Sequence, residues 1–503
     1  MNLFTLLKEA AYAFPKRPAI AFGTSHLTFD ELMRASMAAG NFFQSHGSKH
    51  AVLLDVNSLA IPVVLFGAAV AEIPYVPLNY RKTNAELNAL LRRASPATIV
   101  GNESVWNRVS LSNGDVAVSR VELLRTTQTP PATHLQPTDD GARIAVQLFT
   151  SGTTGAPKAA ILRHDHLMAY IHNTVDFASA DEDETNLVTA PPYHIAAIVA
   201  VLMSARACRR MVMVESFEPY AWLDLCEAER ITHGFVVPTM LSRILDAFRA
   251  HPGRWNLSRL RSIRYGGGKM PLSLITRAMD LLPNVGFTNT YGMTEASSTI
   301  CTLSPEAHQE AVASKDSTVR GRLRSVGRAI KGIDIEIRDD TGRVLPPGTV
   351  GQIYARGAQI AGEYLDQGSQ RDATGWFWTH DRGYLDAAGY LFLDGRSDDV
   401  IVRGGENISP GEVEDVLLSH PAVKEVAVVA IPDDEWGEAI AAVIVPSPGS
   451  AVSVEDLRLL VQRELRSSRV PKLIEFRQDL PTNDMGKVLR RVLRDELSGR
   501  IMP

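Results

Sequence analysis

The feature that most constrains this chain is the steady exchange of short apolar runs and helical patterns through its first half. Ala51-Val52-Leu53-Leu54 is followed by a helical pattern around residues 58–72, and that by Tyr75-Val76-Pro77-Leu78. Residues 96–100, 209–214 and 233–237 read as further strands. Strand alternating with helix predicts an α/β architecture of doubly wound, largely parallel sheets. In such sheets ligands bind beyond the carboxyl ends of the strands, where loops gather.

The pattern changes after about residue 325. Residues 333–337, 351–355 and 389–393 alternate at period two between Pro/Gly-rich turns, which suggests a small antiparallel barrel. A tail from about residue 400 mixes helical patterns (410–420 and 454–465) with apolar strand runs (426–430 and 441–445). The expectation is a large N-terminal domain over residues 1–395, a hinge at 396–398, and a small, mobile α+β domain over 399–503. No internal repeat or low-complexity segment interrupts this.

With 503 residues, 45% of them hydrophobic, the chain can bury more than one core. A net charge of −5 argues against a nucleic-acid partner, which usually selects a basic surface. Cys208, Cys226 and Cys301 are far apart, with neither zinc spacing nor a disulfide framework, so a cytoplasmic setting is expected. The N-terminus is amphipathic and lacks the pattern of a signal peptide. The apolar run over 59–71 contains Pro62 and is shorter than the roughly 18 residues of a membrane span, so a buried helix is the better reading.

Chemistry enters at Thr150-Ser151-Gly152-Thr153-Thr154-Gly155-Ala156-Pro157-Lys158. Apolar runs at 144–149 and 159–162 flank it, so it reads as a loop between strands. Its glycines allow close backbone approach, and its hydroxyls and ammonium add donors, an inventory suited to a polyphosphate. A solvated polar turn has the same residue types. It is not a Walker A loop. The complete string resembles the phosphate loop of the adenylate-forming superfamily, which includes acyl- and aryl-CoA synthetases, peptide-synthetase adenylation domains and luciferases. That family usually has glycine at the place of Ala159.

Other motifs follow in the family's order. Tyr291-Gly292-Met293-Thr294-Glu295 resembles its Y-G-x-T-E motif, which implies Thr294 on the α-phosphate, Glu295 on Mg2+ and Tyr291 against adenine. Gly267 and Gly268 of Tyr265-Gly266-Gly267-Gly268 would border adenine and the acyl pocket. Lys269, where relatives usually carry a small residue or proline, is either solvated or set to meet a polar substrate tail. Pro191-Pro192-Tyr193-His194 resembles the motif that carries a gate, here His194, and the pocket beside it would be lined mainly by apolar residues: Ile195, Ala196, Val237, Pro238, Gly268 and Met293.

Thr379-His380-Asp381 departs from the usual Thr-Gly-Asp, which questions the turn more than the ribose contact implied for Asp381. Arg396 would approach the nucleotide and Asp398 would be the hinge. Arg403-Gly404-Gly405 resembles the loop that turns inward for thioester formation, where two glycines would let a pantetheine arm pass. By the same resemblance Trp436 would lie near the coenzyme A nucleotide, and packing in a core is the other reading. Gly486-Lys487 ends a motif like the family's P-x-x-x-x-G-K, which implies catalysis by Lys487.

The resemblance implies an acid–thiol ligase using ATP, Mg2+ and coenzyme A. A fatty or aryl acid would become an acyl adenylate and then acyl-CoA, with AMP and pyrophosphate released. An acyl carrier protein as acceptor, a short malonate-like acid, and a non-enzymatic nucleotide-binding role are the alternatives. Monomer and homodimer both remain open.

Overall fold

The computed structural model describes residues 1–127, 135–150, 157–483 and 486–501. Among them the chain builds four sheets. Strands Pro18–Phe22, Arg210–Met213, Thr185–Val188, His233–Val236, Ser262–Gly266 and Gly286–Met293 run parallel through the centre of a nine-stranded sheet. Antiparallel strands finish both edges, Ser25–Thr28 at one and Ser298–Leu303 with Arg328–Ala329 at the other. The second sheet, of eight strands, is parallel from Val116–Ser119 through Ala97–Gly101, His50–Leu54 and Tyr75–Pro77 to Ile144–Thr150. It turns antiparallel at Lys158–Arg163. The apolar runs fall on these strands, with ends shifted by a residue or so.

Helices Phe4–Ala13, Phe29–Ser45, Ala60–Ala71 and Ile195–Ala207 share one buried cluster with Ile20 and Met211 of the first sheet and Leu53 and Val146 of the second. They are therefore the filling between the sheets. Phe29–Ser45 starts at a capping box, in which Thr28 and Glu31 satisfy each other's backbone N–H. Ala60–Ala71 is buried on every face, as the long apolar run predicts. Pro62 sits in its first turn, where its missing N–H breaks no helical bond.

After residue 325 the period-two segments form a four-stranded antiparallel sheet, Asp334–Arg338, Gly351–Arg356, Phe377–Leu385 and Leu391–Arg396. Hydrogen bonds among the described residues leave it open. Its inner residues Ile337, Ile353 and Leu391 pack instead with Tyr291 and Ile300 from the edge of the nine-stranded sheet. The barrel-like core is thus closed by packing.

The strand Leu391–Arg396 leads through a short 3-10 turn, Ser397–Asp399, into the smaller C-terminal domain. There a five-stranded sheet centred on Val423–Asp433 and Gly437–Pro446 has helices on both faces. Alternate side chains divide between two cores: Val428 and Ala442 meet Leu457 of one helix, while Val429 and Ala441 meet Leu493 of another. All three cysteines are buried and free. Among the described residues no helix is long and apolar enough to cross a membrane.

Candidate active site

A cavity of about 1070 Å³ opens where the strands of the nine-stranded sheet end, and the C-terminal domain lies against it. Thr150, Lys158, His194, Gly267 and Gly268 line it from the larger domain. Tyr291, Thr294, Glu295, Asp381, Arg396 and Lys487 line it as well. Residues widely spaced in sequence therefore meet in one place. Thr150 and Lys158 face each other across an antiparallel pair and bracket the polar loop. Ser151, Gly152, Thr153 and Thr154 of that loop, with Gly155 and Ala156, lie outside the described residues.

Glu295 is placed by a turn whose parts come from elsewhere in the chain. Thr294–Ala296 is a 3-10 turn, followed by Ser297 and Ser298 at positive φ of 56° and 121°. The side chain of buried Gln359 donates to the carbonyls of Ala296 (3.0 Å) and Thr299 (2.8 Å), and its backbone carbonyl accepts from the Ser297 hydroxyl at 2.8 Å. The Glu295 carbonyl accepts the amide of Gly362 at 2.8 Å. Tyr364 donates its hydroxyl to Glu295 Oε1 at 2.6 Å, and Lys158 Nζ lies 5.3 Å from the centre of the Tyr364 ring. Burial, then the Glu295 charge, holds the Tyr364 hydroxyl protonated well above the usual phenol range.

No cluster of three or more metal-ligating side chains occurs among the described residues. One carboxylate beside bound phosphates still fits Mg2+, which keeps most of its waters and shares oxygens with substrate. Glu295 would hold it.

Across the cleft, Asp381 and Arg396 are cross-strand neighbours with a 3.6 Å ion pair. Asp381 Oδ2 also accepts the hydroxyl of buried Tyr291 at 2.6 Å, so one carboxylate oxygen is fixed by protein and its position is set. Lys487 reaches this corner from the C-terminal domain. Its backbone N–H donates to Asn483 Oδ1 at 2.9 Å, and Gly486 before it has φ +69°. A Cβ on Gly486 would sit 2.1 Å from Thr239 Oγ1, so only glycine lets this turn approach the larger domain. The surrounding walls desolvate the Lys487 ammonium and, with Arg396 repelling it, lower its pKa; Asp381 and Asp399 pull the other way.

Arg403, Gly404 and Gly405 do not line the cavity. They form the tip of a hairpin between Ile401–Arg403 and Glu406–Ile408, where Gly404 accepts positive φ and Arg403 donates to the Ser468 carbonyl at 2.6 Å. Lys487 and this hairpin tip thus occupy different places relative to the cleft. Trp436 lies over the hairpin, half exposed, with Gly404 N–H donating to its carbonyl at 2.8 Å. Lys269 lines the cavity with its side chain nearly half exposed, and its ammonium is engaged by the other domain. It pairs with Asp415 Oδ1 at 2.7 Å and donates to the Gly411 carbonyl at 3.2 Å, both in the C-terminal domain.

At the other wall His194 occupies the N-cap position of helix Ile195–Ala207, and its ring lies 5.0 Å from that of Tyr193. Ile195, Ala196, Gly268 and Met293 line the cavity as expected. Val237 and Pro238 do not, and a polar row that the apolar expectation left out, Asn186, His233, Ser262 and Arg264, shares the wall with Val199, Met203 and Phe235. The signal was available: Ser262-Ile263-Arg264-Tyr265 alternates polar and apolar within a strand. Gln359 and Tyr364 carried no local signal, since their roles exist only through contacts with the distant turn at Glu295.

The sequence matches the AMP-binding enzyme family over residues 7–365 and the AMP-binding enzyme C-terminal domain over 412–487. It is 32% identical to a feruloyl-CoA synthase from Amycolatopsis sp, covering 95% of this chain and 96% of that one. It is 30% identical to a fatty acid–[acyl-carrier-protein] ligase of Streptomyces coeruleorubidus, covering 96% and 94%. Its structure superposes on the o-succinylbenzoate CoA synthetase of Bacillus subtilis in complex with its acyl-adenylate intermediate, with TM-score 0.83, 27% identity and 98% of each chain covered.

Proposed function

Because the chain belongs to the AMP-binding enzymes of the adenylate-forming superfamily, we propose that it joins a carboxylic acid to coenzyme A through an acyl adenylate. The observation that carries this reading is the meeting of Glu295, Asp381, Arg396 and Lys487 in one cleft. A carboxylate resists substitution because its leaving group would be oxide. Attack of one carboxylate oxygen on the α-phosphorus of ATP forms a new P–O bond. The bond to the pyrophosphate oxygen breaks, and pyrophosphate leaves with the electron pair. The coenzyme A sulfur then attacks the carbonyl carbon, the C–O bond to AMP breaks, and the thiol proton passes to solvent.

The first step brings two anions together, so positive charge must stand where they meet. Lys487 and Arg396 supply it from this chain. Mg2+, when bound at Glu295, neutralises phosphate charge. Asp381, anchored by Tyr291, is the acceptor for the ribose hydroxyls, and Thr294 faces the α-phosphate. Lys158, with the polar loop it ends, is the clamp for the departing phosphates. In the second step Lys487 withdraws and the hairpin tip at Arg403, Gly404 and Gly405 takes its place, by rotation about residues 396–398.

Pyrophosphate release measured over a panel of carboxylic acids tests the reaction. Lys487→Ala is expected to slow adenylate formation by at least about a hundredfold, the scale of one lost transition-state donor. Thioester formation from preformed acyl adenylate stays within a few-fold. Normal pyrophosphate release by this variant would contradict the role. A second reading, transfer to the phosphopantetheine of an acyl carrier protein, is favoured by the carrier-protein ligase among the relatives. Offering both acceptors to the preformed adenylate separates the two.

A further inference from the structure

The cavity continues from the nucleotide end inward, between helix Ile195–Ala207 and the nine-stranded sheet. Side chains two apart on a strand share a face. Register sets His233 between Asn186 and Ser262, and Arg264 between Phe235 and Thr288. This face therefore carries Asn186, His233, Ser262, Arg264 and Thr288, and all five line the cavity. The opposite face, with Leu187, Ile263 and Tyr265, is ordinary buried apolar core. A sheet face that turns a polar row toward a helix, and leaves space between, is shaped for a ligand.

The charges within that space are unequally met. Arg209 is held by Glu184 at 2.7 Å, and Arg261 reaches Glu184 at 3.3 Å and Asp181 at 3.6 Å. Half-buried Arg264 pairs with no carboxylate among the described residues. The one hydrogen bond its side chain makes among them runs from Nη1 to the Met203 sulfur at 3.8 Å. A thioether is a weak acceptor, whereas a guanidinium presents five donors in a planar, permanently charged fork. His233 brings no second cation: burial, then the charges of Arg209, Arg264 and Arg261, lowers its pKa to about 3.

A strand rise of about 3.3 Å per residue puts Arg264 roughly 10 Å back from Gly267, so one small molecule spans the reacting end and this site. We propose that Arg264 is a specificity-determining residue that binds a second carboxylate at the far end of the acid, making dicarboxylic acids the preferred substrates. The proposal rests on the ligase reading above. A carboxylate takes two parallel N–H bonds from the fork and neutralises its charge. A methyl terminus leaves the donors unmet, and a phenol hydroxyl accepts a bond while leaving the charge uncompensated.

The test compares kcat/KM for pyrophosphate release with straight-chain diacids and monoacids matched carbon for carbon, and with benzoic acids bearing 4-carboxyl, 4-hydroxyl or hydrogen. The wild-type chain is expected to favour the diacid of the best pair by about tenfold to a hundredfold, the worth of a charge-assisted pair. Arg264→Leu reverses that preference, raising turnover of the monoacid, and Arg264→Lys keeps part of it. The ratio of the two substrates does not move for a variant that is merely less stable, and retained stabilisation by ATP in thermal unfolding checks each variant's fold. Release with monoacids or 4-hydroxybenzoates that equals or exceeds release with diacids overturns this assignment and leaves the ligase reading standing. No release with any acid overturns the ligase reading itself, and this assignment with it.

Discussion

His380 has φ +62°, in the left-handed region that glycine occupies without strain. For a residue with a Cβ this costs about 1–2 kcal/mol. Its ring lies 4.0 Å from that of Trp378, tilted by 35°, and such a pair returns about 0.5–1.5 kcal/mol. The departure from Thr-Gly-Asp thus keeps the backbone of the turn and changes what stabilises it. His380→Gly is expected to shift unfolding free energy by less than about 1 kcal/mol, read by denaturant unfolding, because the two effects oppose. Apparent affinity for ATP stays within a few-fold, since Asp381 is still fixed by Tyr291. At Lys487 the proton itself matters. A lowered pKa means the ammonium is lost at a lower pH than an exposed lysine loses it. The basic limb of kcat/KM for adenylation is therefore expected below the ordinary lysine range. Lys487→Arg, whose cation does not titrate, abolishes that limb even if the rate falls.

At the scale of elements, the turn that carries Glu295 is built by a distant loop, residues 357–362, rather than by its own residues. Thr294–Ala296 is too short to hold itself, and two positive-φ serines follow it. Gln359 supplies the missing donors to two buried carbonyls. Gln359→Leu has similar size but leaves those carbonyls unmet, so it is expected to destabilise the protein by about 1–3 kcal/mol. Pyrophosphate release should fall by about tenfold or more, and raising Mg2+ should recover part of it, because the lost property is the position of Glu295. Loss of stability without a change in Mg2+ dependence would mean the turn survives without Gln359. The hairpin at Gly404 and Gly405 shows the opposite case. Its two positive-φ glycines make the turn locally, so it was readable from the sequence, while its distance from the cleft was not.

At the scale of the molecule, few polar contacts among the described residues join the two domains. Lys269, next to Gly268 of the cleft, binds Asp415 and Gly411 of helix Pro410–Leu418. Both charged side chains are nearly half exposed, so the pair contributes at most about 1 kcal/mol and weakens with salt. A contact of that strength can bias an orientation without locking it. Lys269→Ala is expected to slow adenylation by up to about fivefold at low salt, with less effect at high salt, and to leave thioester formation from preformed adenylate unchanged or faster. A larger loss that persists in high salt and differs among acids would instead place Lys269 against substrate.

The sequence by itself determined the sheets, the two-domain plan and the family, because strand and helix periods and the motifs from Thr150 to Lys487 are local patterns. Glu295, Asp381 and Lys487, which meet in the cleft, stood within those motifs and could be named from them. Only the tertiary structure decided what surrounds them. It set Tyr364 on Glu295 and Gln359 on the turn that follows, tied Asp381 to Tyr291, spent Lys269 on the other domain, and turned Arg264 into the cavity. Those facts depend on which faces of distant strands meet, and on which charges find partners when they do. Contacts of that kind are fixed by packing across the whole chain, and no short stretch of sequence encodes them.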